Sequence, residues 1–517
     1  MQKRKKFFVM LLAVLLVFSG VVACSKDESG KSEPASDAAA STTNNSATEQ
    51  AEPEPLEPVT LKILVPGDKP NNLGEVLAEA EKRMADTLNV KLDMTFVGWA
   101  DYGKKLQVSL AAGEDYDLVF DAPWNIQTAM IQAGYYEPLE ALLDKYGPTI
   151  KSSRPEQMWE ANKLFGKVYG IPLGVYNVSG RGYYIRKDLR EKLGIPPIQT
   201  WDDFEKFLYA VKENEPKISP IHPGGLDLVS FQLLADQDTH IKNFWGGYTL
   251  YYKNNDGKAY NMFEERDPKF WEAILTVRKW FTDKIIDQDV LASGSGVEAF
   301  KAGKAASASA NGFDLPKAVV DALKSVDPAA EAEFVTFFDK NKKMVSDFKQ
   351  WNFMHVPVSS KNKERAIMFL NWANEKENYD LLAYGIEGKH WEAVGTDAYK
   401  ELDELYPWFP YAWIWNPESN RENAAQSEEI RGWNLWSKDP NNFIEDKLTG
   451  FTFDDTKVKA ESEQVAALFS AISGPLFYGT VDPEKTWEEY KEKAAPFTKK
   501  VQEEAQRQID EFLQNKQ

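Results

Sequence analysis

The chain has a single cysteine, Cys24, in 517 residues. Disulfides and thiolate metal sites are therefore excluded as means of holding the body together, and a hydrophobic core has to do so. Histidine is almost as scarce. His222, His240, His355 and His390 are the four present, and no two stand three to five residues apart, which removes the helical His-pair grip of a zinc enzyme. Positive charge is in deficit, with 61 Lys and Arg against 80 Asp and Glu and a formal charge of −19. Such a surface repels nucleic acid and anionic lipid and offers no basic stripe to a polyphosphate. Long apolar runs are missing as well. The sustained one, Phe7 to Phe18, is 12 residues, short of the roughly 17 to 25 that a membrane-spanning helix needs.

That run sits between Lys3, Arg4, Lys5 and Lys6 on one side and Val21-Val22-Ala23-Cys24 on the other. A basic start, a short apolar stretch and a small-residue exit predict a signal peptide over 1–23. The exit resembles the bacterial lipobox, in which cleavage falls before a cysteine already carrying a diacylglyceryl group. The resemblance implies that Cys24 is lipidated and that the protein sits on the extracytoplasmic face of the bacterial cell membrane; a plain secreted protein with a chance thiol is the alternative. Residues 24–58 are, after Cys24, rich in Ser, Ala, Glu and Pro, with one large apolar side chain, Leu56. They cannot bury enough to order themselves and read as a tether.

The body from Val59 onward exceeds what one hydrophobic core covers, so at least two lobes are expected. "VTLKILVP", "VKLDMTFVG" and "DLVFDAPW" read as buried-type strands. Between them, Leu73, Val76, Leu77, Ala80, Met84 and Leu88 recur at helical spacing, and "ADYGKKLQVSLAAG" is a second helix with a Gly stop. Strand, helix, strand, helix, strand with short joints predicts a parallel α/β sheet with ligands beyond the carboxyl ends of its strands. Pro66-Gly67-Asp68, Gly98-Trp99 and Asp121-Ala122-Pro123-Trp124 become rim segments.

A more specific likeness begins at "GKVYGIPLGVYNVSGRGYYIRKDLREKLGIPPIQTWDDFEKFL". Its Gly-Ile-Pro strand, second strand, helix and Thr-Trp helix start resemble the first crossover of family 1 extracellular solute-binding proteins, the receptors of ABC importers. "GVEAFKAGKAASASANG", "WNFMHVPVSSKNKERAIMFLNWA" and "YGIEGKHWE" follow in the order that family has, and the tail "VQEEAQRQIDEFL" fits a long branch with an added C-terminal domain. The resemblance implies a two-lobed α/β flytrap, like that of periplasmic binding proteins, with discontinuous lobes. It would close on a solute, most often a sugar or oligosaccharide, and dock on ABC permease subunits as a monomer without a cofactor. On this reading lobe 1 is 59–175 plus 356–430, lobe 2 is 176–355, and a helical region 431–517 packs on lobe 2. Ile171-Pro172 and Val356-Pro357 are the expected hinges.

An oligosaccharide presents C–H faces that stack on aromatic rings and hydroxyls that need polar partners. Trp99, Trp124, Trp245, Trp351 and Trp391 fall at strand ends or beside Gly, and Asp68, Asp121, Asn177, Asn311 and Asn352 are polar residues at matching strand exits. Each ring suits core packing as well as a cleft; as a set they point to a stacking cleft. "YPWFPYAWIWNPESNRE" either lines a long sugar groove or packs the C-terminal domain onto a lobe, and packing is the favoured reading. Arg154, Arg181, Lys389 and Arg431 could form a local basic patch. "EAFKAGKAAS" lacks the first Gly and the Ser or Thr of a phosphate loop. "YYKNNDGKAYN" reads as a hairpin turn, and no metal is assigned. No catalytic residue stands out, so the chain is expected not to be an enzyme. An anchored extracellular glycoside hydrolase and a peptide-binding receptor are the alternatives.

Overall fold

The structure, a computed structural model, describes residues 56–174, 181–222, 228–235, 237–245, 249–292, 295–402 and 406–516. The signal, Cys24 and the tether through residue 55 lie outside the described residues, as does Asn177.

The predicted strands form where the apolar runs lie. Val59–Pro66 pairs in parallel with Val90–Val97 and with Leu118–Asp121. The helix Leu73–Met84 buries Leu73, Val76, Ala80 and Met84 on one stripe, and Trp99–Ala112 ends at Gly113, whose φ of 66° only glycine adopts cheaply. The sheet is completed from far along the chain. Asn352–His355 enters between Leu118–Asp121 and Gly170–Leu173, antiparallel to both. One core, running from Leu61 through Phe120, Ile171 and Met354 to Trp413, holds this lobe.

The second lobe has its own sheet, with Arg181–Arg186 between Ala332–Val335 and Ser307–Asn311, antiparallel to each. Its core gathers Phe204, Phe207, Val277, Trp280 and Ile286. The fold is thus a two-lobed α/β fold with each lobe assembled from separated segments. The loop at "NNDG" is a turn between the antiparallel strands Leu250–Tyr252 and Tyr260–Asn261, with Asn254 and Asn255 in the left-handed region.

Two of the expected boundaries move. Val356-Pro357 is not a crossing: Glu137 N–H donates to the Val356 carbonyl, and Pro357 bridges Tyr136, at the far end of the strand. Because Asn352–His355 runs antiparallel to its neighbours, the chain must enter at Asn352, so lobe 1 resumes there rather than at 356. The second moves by a few residues, since the chain expected to leave lobe 1 at 430 already meets lobe 2 at Gln426. Gln426 exchanges two hydrogen bonds with the backbone of Leu315, and the helix Glu428–Lys438 stacks Trp433 on Phe313 of lobe 2 at 4.9 Å.

The helices Lys459–Phe477 and Pro483–Lys516 share the lobe 2 cores. Ile472, Leu476, Phe477 and Trp487 pack with Phe263 and Phe270, and Val465, Val501 and Ile509 pack with Leu250 and Tyr252. Trp487 is buried edge-on to Trp271 at 5.2 Å. Trp487→Ala is therefore expected to cost about 3–5 kcal/mol in urea unfolding of the whole protein, as for a large core truncation. A loss under 1 kcal/mol would mean that this region is an independent appendage.

Candidate functional site

Sheet direction decides where the site lies. The carboxyl ends of three parallel strands, at Pro66, Val97 and Asp121, share one edge. The antiparallel insertion brings the amino end of Asn352–His355 to the same edge, and Gly170–Leu173 brings its carboxyl end. Gly67, Trp99, Trp124, Trp351, Asn352 and Gly174 are consequently neighbours in register.

The loop carrying Trp124 is fixed by Asp121. Its Oδ1 accepts from Ala122 N–H at 2.8 Å, Asn125 Nδ2 at 2.9 Å and Ile126 N–H at 3.3 Å, and its Oδ2 accepts from the Tyr136 hydroxyl at 2.7 Å. Gly103 lets the loop lie against the helix that starts at Trp99, because a Cβ there would stand 2.5 Å from Asn125 Oδ1. That helix is tied down by Tyr102, whose buried hydroxyl donates to the carbonyls of Leu64 and Phe120. Trp99 and Trp124 are thereby held 5.8 Å apart, both edged by Phe120. They stay 46% and 51% exposed, and Trp124 Nε1 donates to the carbonyl of Trp351, itself 58% exposed. Three solvent-facing indoles fixed to rigid strand ends form a stacking surface.

The run after residue 405 adds to that surface. Its short 3₁₀ turn Pro410–Ala412 divides the side chains. Phe409, Ala412, Trp413 and Ile414 enter the lobe 1 core, while Trp408, Tyr411 and Trp415 stay half-buried on the other side. Tyr411 stacks on Trp99 at 6.2 Å and Trp408, which meets Trp415 at 5.5 Å, lies 5.9 Å from Tyr411. Gly67, beside Trp99 and Tyr411, takes a φ of 104° that a side chain would strain. Burial, and then the charge of exposed Asp68, push the Tyr411 phenol up. Trp408 and Tyr411 were missed as site residues because the run read as packing. The signal was present as spacing, with 408, 411 and 415 at i, i+3 and i+7.

Several sequence assignments change. Asp121 is buried and its oxygens are taken by the protein, so it positions Trp124 and does not face solute. Trp391 is a core residue whose indole N–H donates to the Gly385 carbonyl. Trp245 packs edge-on against Phe453 of the C-terminal region. Asn352 begins its strand, and Asn311 ends Ser307–Asn311 opposite Arg181. The basic patch does not assemble: Arg154 is buried among carbonyls, and Lys389 is bonded to Glu75. A groove of about 490 Å³ lined by Trp201, Glu205, Lys279 and Phe337 lies on lobe 2 and contains none of these residues. No group of three or more His, Cys, Asp or Glu side chains able to hold a metal ion occurs among the described residues.

Discontinuous lobes, chain crossings at one sheet edge and an exposed aromatic surface on that edge define a two-lobed solute-binding fold. Residues 74–380 match the family described as bacterial extracellular solute-binding protein, and the chain belongs to that family; residues 447–514 match a domain of unknown function, DUF3502. The chain is 28% identical over 472 residues to a carbohydrate ABC transporter substrate-binding protein of Streptococcus pneumoniae, covering 88% of this chain and 91% of that one. It is 22% identical over 348 residues to lipoprotein LipO of Bacillus subtilis, covering 64% and 68%. Among solved structures, it resembles the N-glycan transport solute binding protein NgtS of Streptococcus pneumoniae with a TM-score of 0.72 at 24% identity, covering 89% of this chain and 100% of that one. The complex of NgtS with Man5GlcNAc gives 0.65 at 25% identity, covering 89% and 100%.

The buried charge beneath this surface has a measurable signature. Burial pushes the Asp121 carboxyl up to about 6, from 3.8. The folded state then binds this proton more tightly than the unfolded chain, so its contribution to stability grows as pH falls from about 6 towards 4 and is absent above. Burial holds His355 down to about 3, from 6.5, which works the other way and removes stability as pH falls below 6.5. Asp121→Asn deletes the first effect and leaves the second. Between pH 7 and pH 4 the wild type should therefore gain about 2 kcal/mol on the variant in urea titrations. Parallel pH profiles would show that Asp121 is ordinary.

Proposed function

We propose that this chain is the lipid-anchored substrate-binding protein of a carbohydrate ABC importer. It takes an oligosaccharide between its lobes, with Trp99, Trp124, Trp351 and Tyr411 as stacking faces and Asp68 and Asn352 among the polar contacts, and hands it to membrane permease subunits. The observation that carries this reading is the exposed aromatic surface at the strand-exit edge, where both crossings leave; sugar rings are the solutes whose apolar faces such a surface suits. The similarity to a carbohydrate ABC transporter protein and to NgtS supports the same solute class. The reading is of a binder and not an enzyme: the relatives are substrate-binding proteins, and Asp121, a carboxyl at this edge with a raised pKa, has its oxygens committed to the fold. The anchor is the diacylglyceryl group on Cys24, two chains being enough for stable attachment.

Thermal melting against a panel of oligosaccharides tests it, since a ligand at 100 times its Kd adds about 2.7 kcal/mol. The expected result is a shift with the sugar recovered intact, lowered in Trp99→Ala and Trp124→Ala by roughly two- to tenfold in affinity each. Recovery of cleaved sugar would replace this reading with a hydrolase. Cys24→Ser should move the protein from the membrane to the soluble fraction; an unchanged membrane fraction would remove the lipid anchor.

A further inference from the structure

Resting on the carbohydrate reading, the geometry points to the kind of glycan. Half-buried rings packed against the lobe 1 core continue the exposed pair Trp124 and Trp99 past the strand ends. Trp124, Trp99, Tyr411 and Trp408 follow one another at 5.8, 6.2 and 5.9 Å, and Trp415 extends the row by 5.5 Å. Each step is comparable to one pyranose unit. The two halves of the row differ in origin. Trp99 and Trp124 are set at strand exits and braced by Tyr102 and Asp121, whereas Tyr411 sits in the short 3₁₀ turn and Trp408 in the irregular segment before it. The first pair is a rigid anchor; the second extends it.

Among the described residues, cations lie over aromatic rings at Tyr146, Tyr209, Tyr251, Tyr260, Trp271, Trp391, Trp433, Trp487, Tyr490 and Phe512, and over none of the five rings of the row. Arg154, the guanidinium closest in the hydrogen-bond network to Trp415, is spent on the carbonyls of Ile150, Pro172 and Trp415 and on Asn374. The charge beside Tyr411 is the carboxylate of Asp68. An anionic sugar needs cationic partners that this row does not supply.

We infer that the site selects an uncharged oligosaccharide of at least four units, the first two seated on Trp124 and Trp99 and the later ones on Tyr411 and Trp408. Trp408 is then a determinant of chain length, felt only by ligands long enough to reach it.

The test is calorimetric titration of the full chain, in a detergent without a sugar headgroup. The probes are malto-, manno- and N-acetylchito-oligosaccharides of one to six units and oligouronates of the same lengths. Within the series that binds, affinity should rise at least about tenfold from di- to tetrasaccharide, and uronates should bind at least about tenfold more weakly than neutral sugars of equal length. Trp408→Ala should weaken the tetrasaccharide by roughly two- to tenfold and leave the disaccharide unchanged. Trp408→Leu keeps apolar volume without a stacking face and gives the same pattern if the alanine variant fails to fold. Equal affinity for all lengths, equal binding of uronates, or the same loss for di- and tetrasaccharide overturns this inference and leaves the carbohydrate reading standing. Failure of every sugar to bind overturns the carbohydrate reading itself.

Discussion

The arrangement depends on the insertion of Asn352–His355 into the lobe 1 sheet. This strand is bonded on one side to Leu118–Asp121 and on the other to Gly170–Leu173, so lobe 1 has no continuous sheet until the whole of lobe 2 has been threaded out and back. Its register is pinned by His355. The ring stacks on Tyr136 at 4.1 Å, bonds the Tyr169 carbonyl and Gln127, and fills the space above Gly170, where a Cβ would come within 2.6 Å of it. A slip by one residue would drive His355 to the other face and open that contact. Because the strand is antiparallel, its amino end lies with the carboxyl ends of the others, and this alone sets Trp351 beside Trp124. Pairing so far apart in sequence closes a long loop, which makes it a late and costly step of folding.

The segment that leads into this strand is gripped from two directions. Met344–Ser346 pairs in parallel with Phe443–Glu445, and Lys242 Nζ stands 3.0 Å from both Asp347 and Asp446, joining a lobe 2 strand, the crossing segment and the C-terminal region. Burial works against the ammonium, yet the two carboxylates hold its pKa above the ordinary lysine value. Two carboxylates sharing one ammonium stay compatible only while all three keep their places, so the triad specifies geometry more than it adds stability. From lobe 1, Asn162 donates to the Phe348 carbonyl and accepts from Gln350 N–H. Between the two grips lies Phe348 at φ 55°, a conformation that a bulky residue adopts only when its surroundings impose it.

Local order was legible in the sequence to the extent that it is set by local chemistry. "VTLKILVP" is the strand Val59–Pro66 because an apolar run bounded by Pro-Gly has no helical stripe to form. Leu73, Val76, Ala80 and Met84 are the buried face that their spacing predicts. The crossing at Val356-Pro357 was misread because proline marks a break in hydrogen bonding, and such breaks occur at either end of a strand; direction decides which end, and direction is a property of the sheet. Asp121 was taken for a solute contact because an acid at a strand exit looks the same whether it faces out or braces its own loop. Asn125 and Tyr136, which settle the matter, lie four and fifteen residues on. In "YPWFPYAWIW" groove lining and packing compete as readings of one run, and the structure divides its side chains, with Phe409, Ala412, Trp413 and Ile414 buried and Trp408, Tyr411 and Trp415 half-buried.

Arg154 shows how the wall behind the site is kept rigid without a matching charge. It is buried, and burial pushes its guanidinium down to about 10. It lacks a carboxylate among its hydrogen-bond partners and donates instead to the carbonyls of Ile150, Pro172 and Trp415, to Ser153 and to the amide oxygen of Asn374. Each bond to a neutral oxygen returns less than an ion pair would, so the arrangement is poor as a source of stability. What it gives is position. The planar fork fixes five donors at once, and those donors tie the last strand before the crossing, the end of the helix Lys363–Ala373 and the aromatic run into one block. Gly174, just beyond, has φ 141° and sits where a Cβ would meet Gln350 Oε1 at 2.4 Å and the Trp415 ring at 3.6 Å. The chain thus passes from a residue with almost no freedom to one with the most freedom available to a polypeptide. Arg154 thus holds the strand rigid up to Gly174, where the backbone takes a φ that a side chain would strain and a position that a Cβ would crowd.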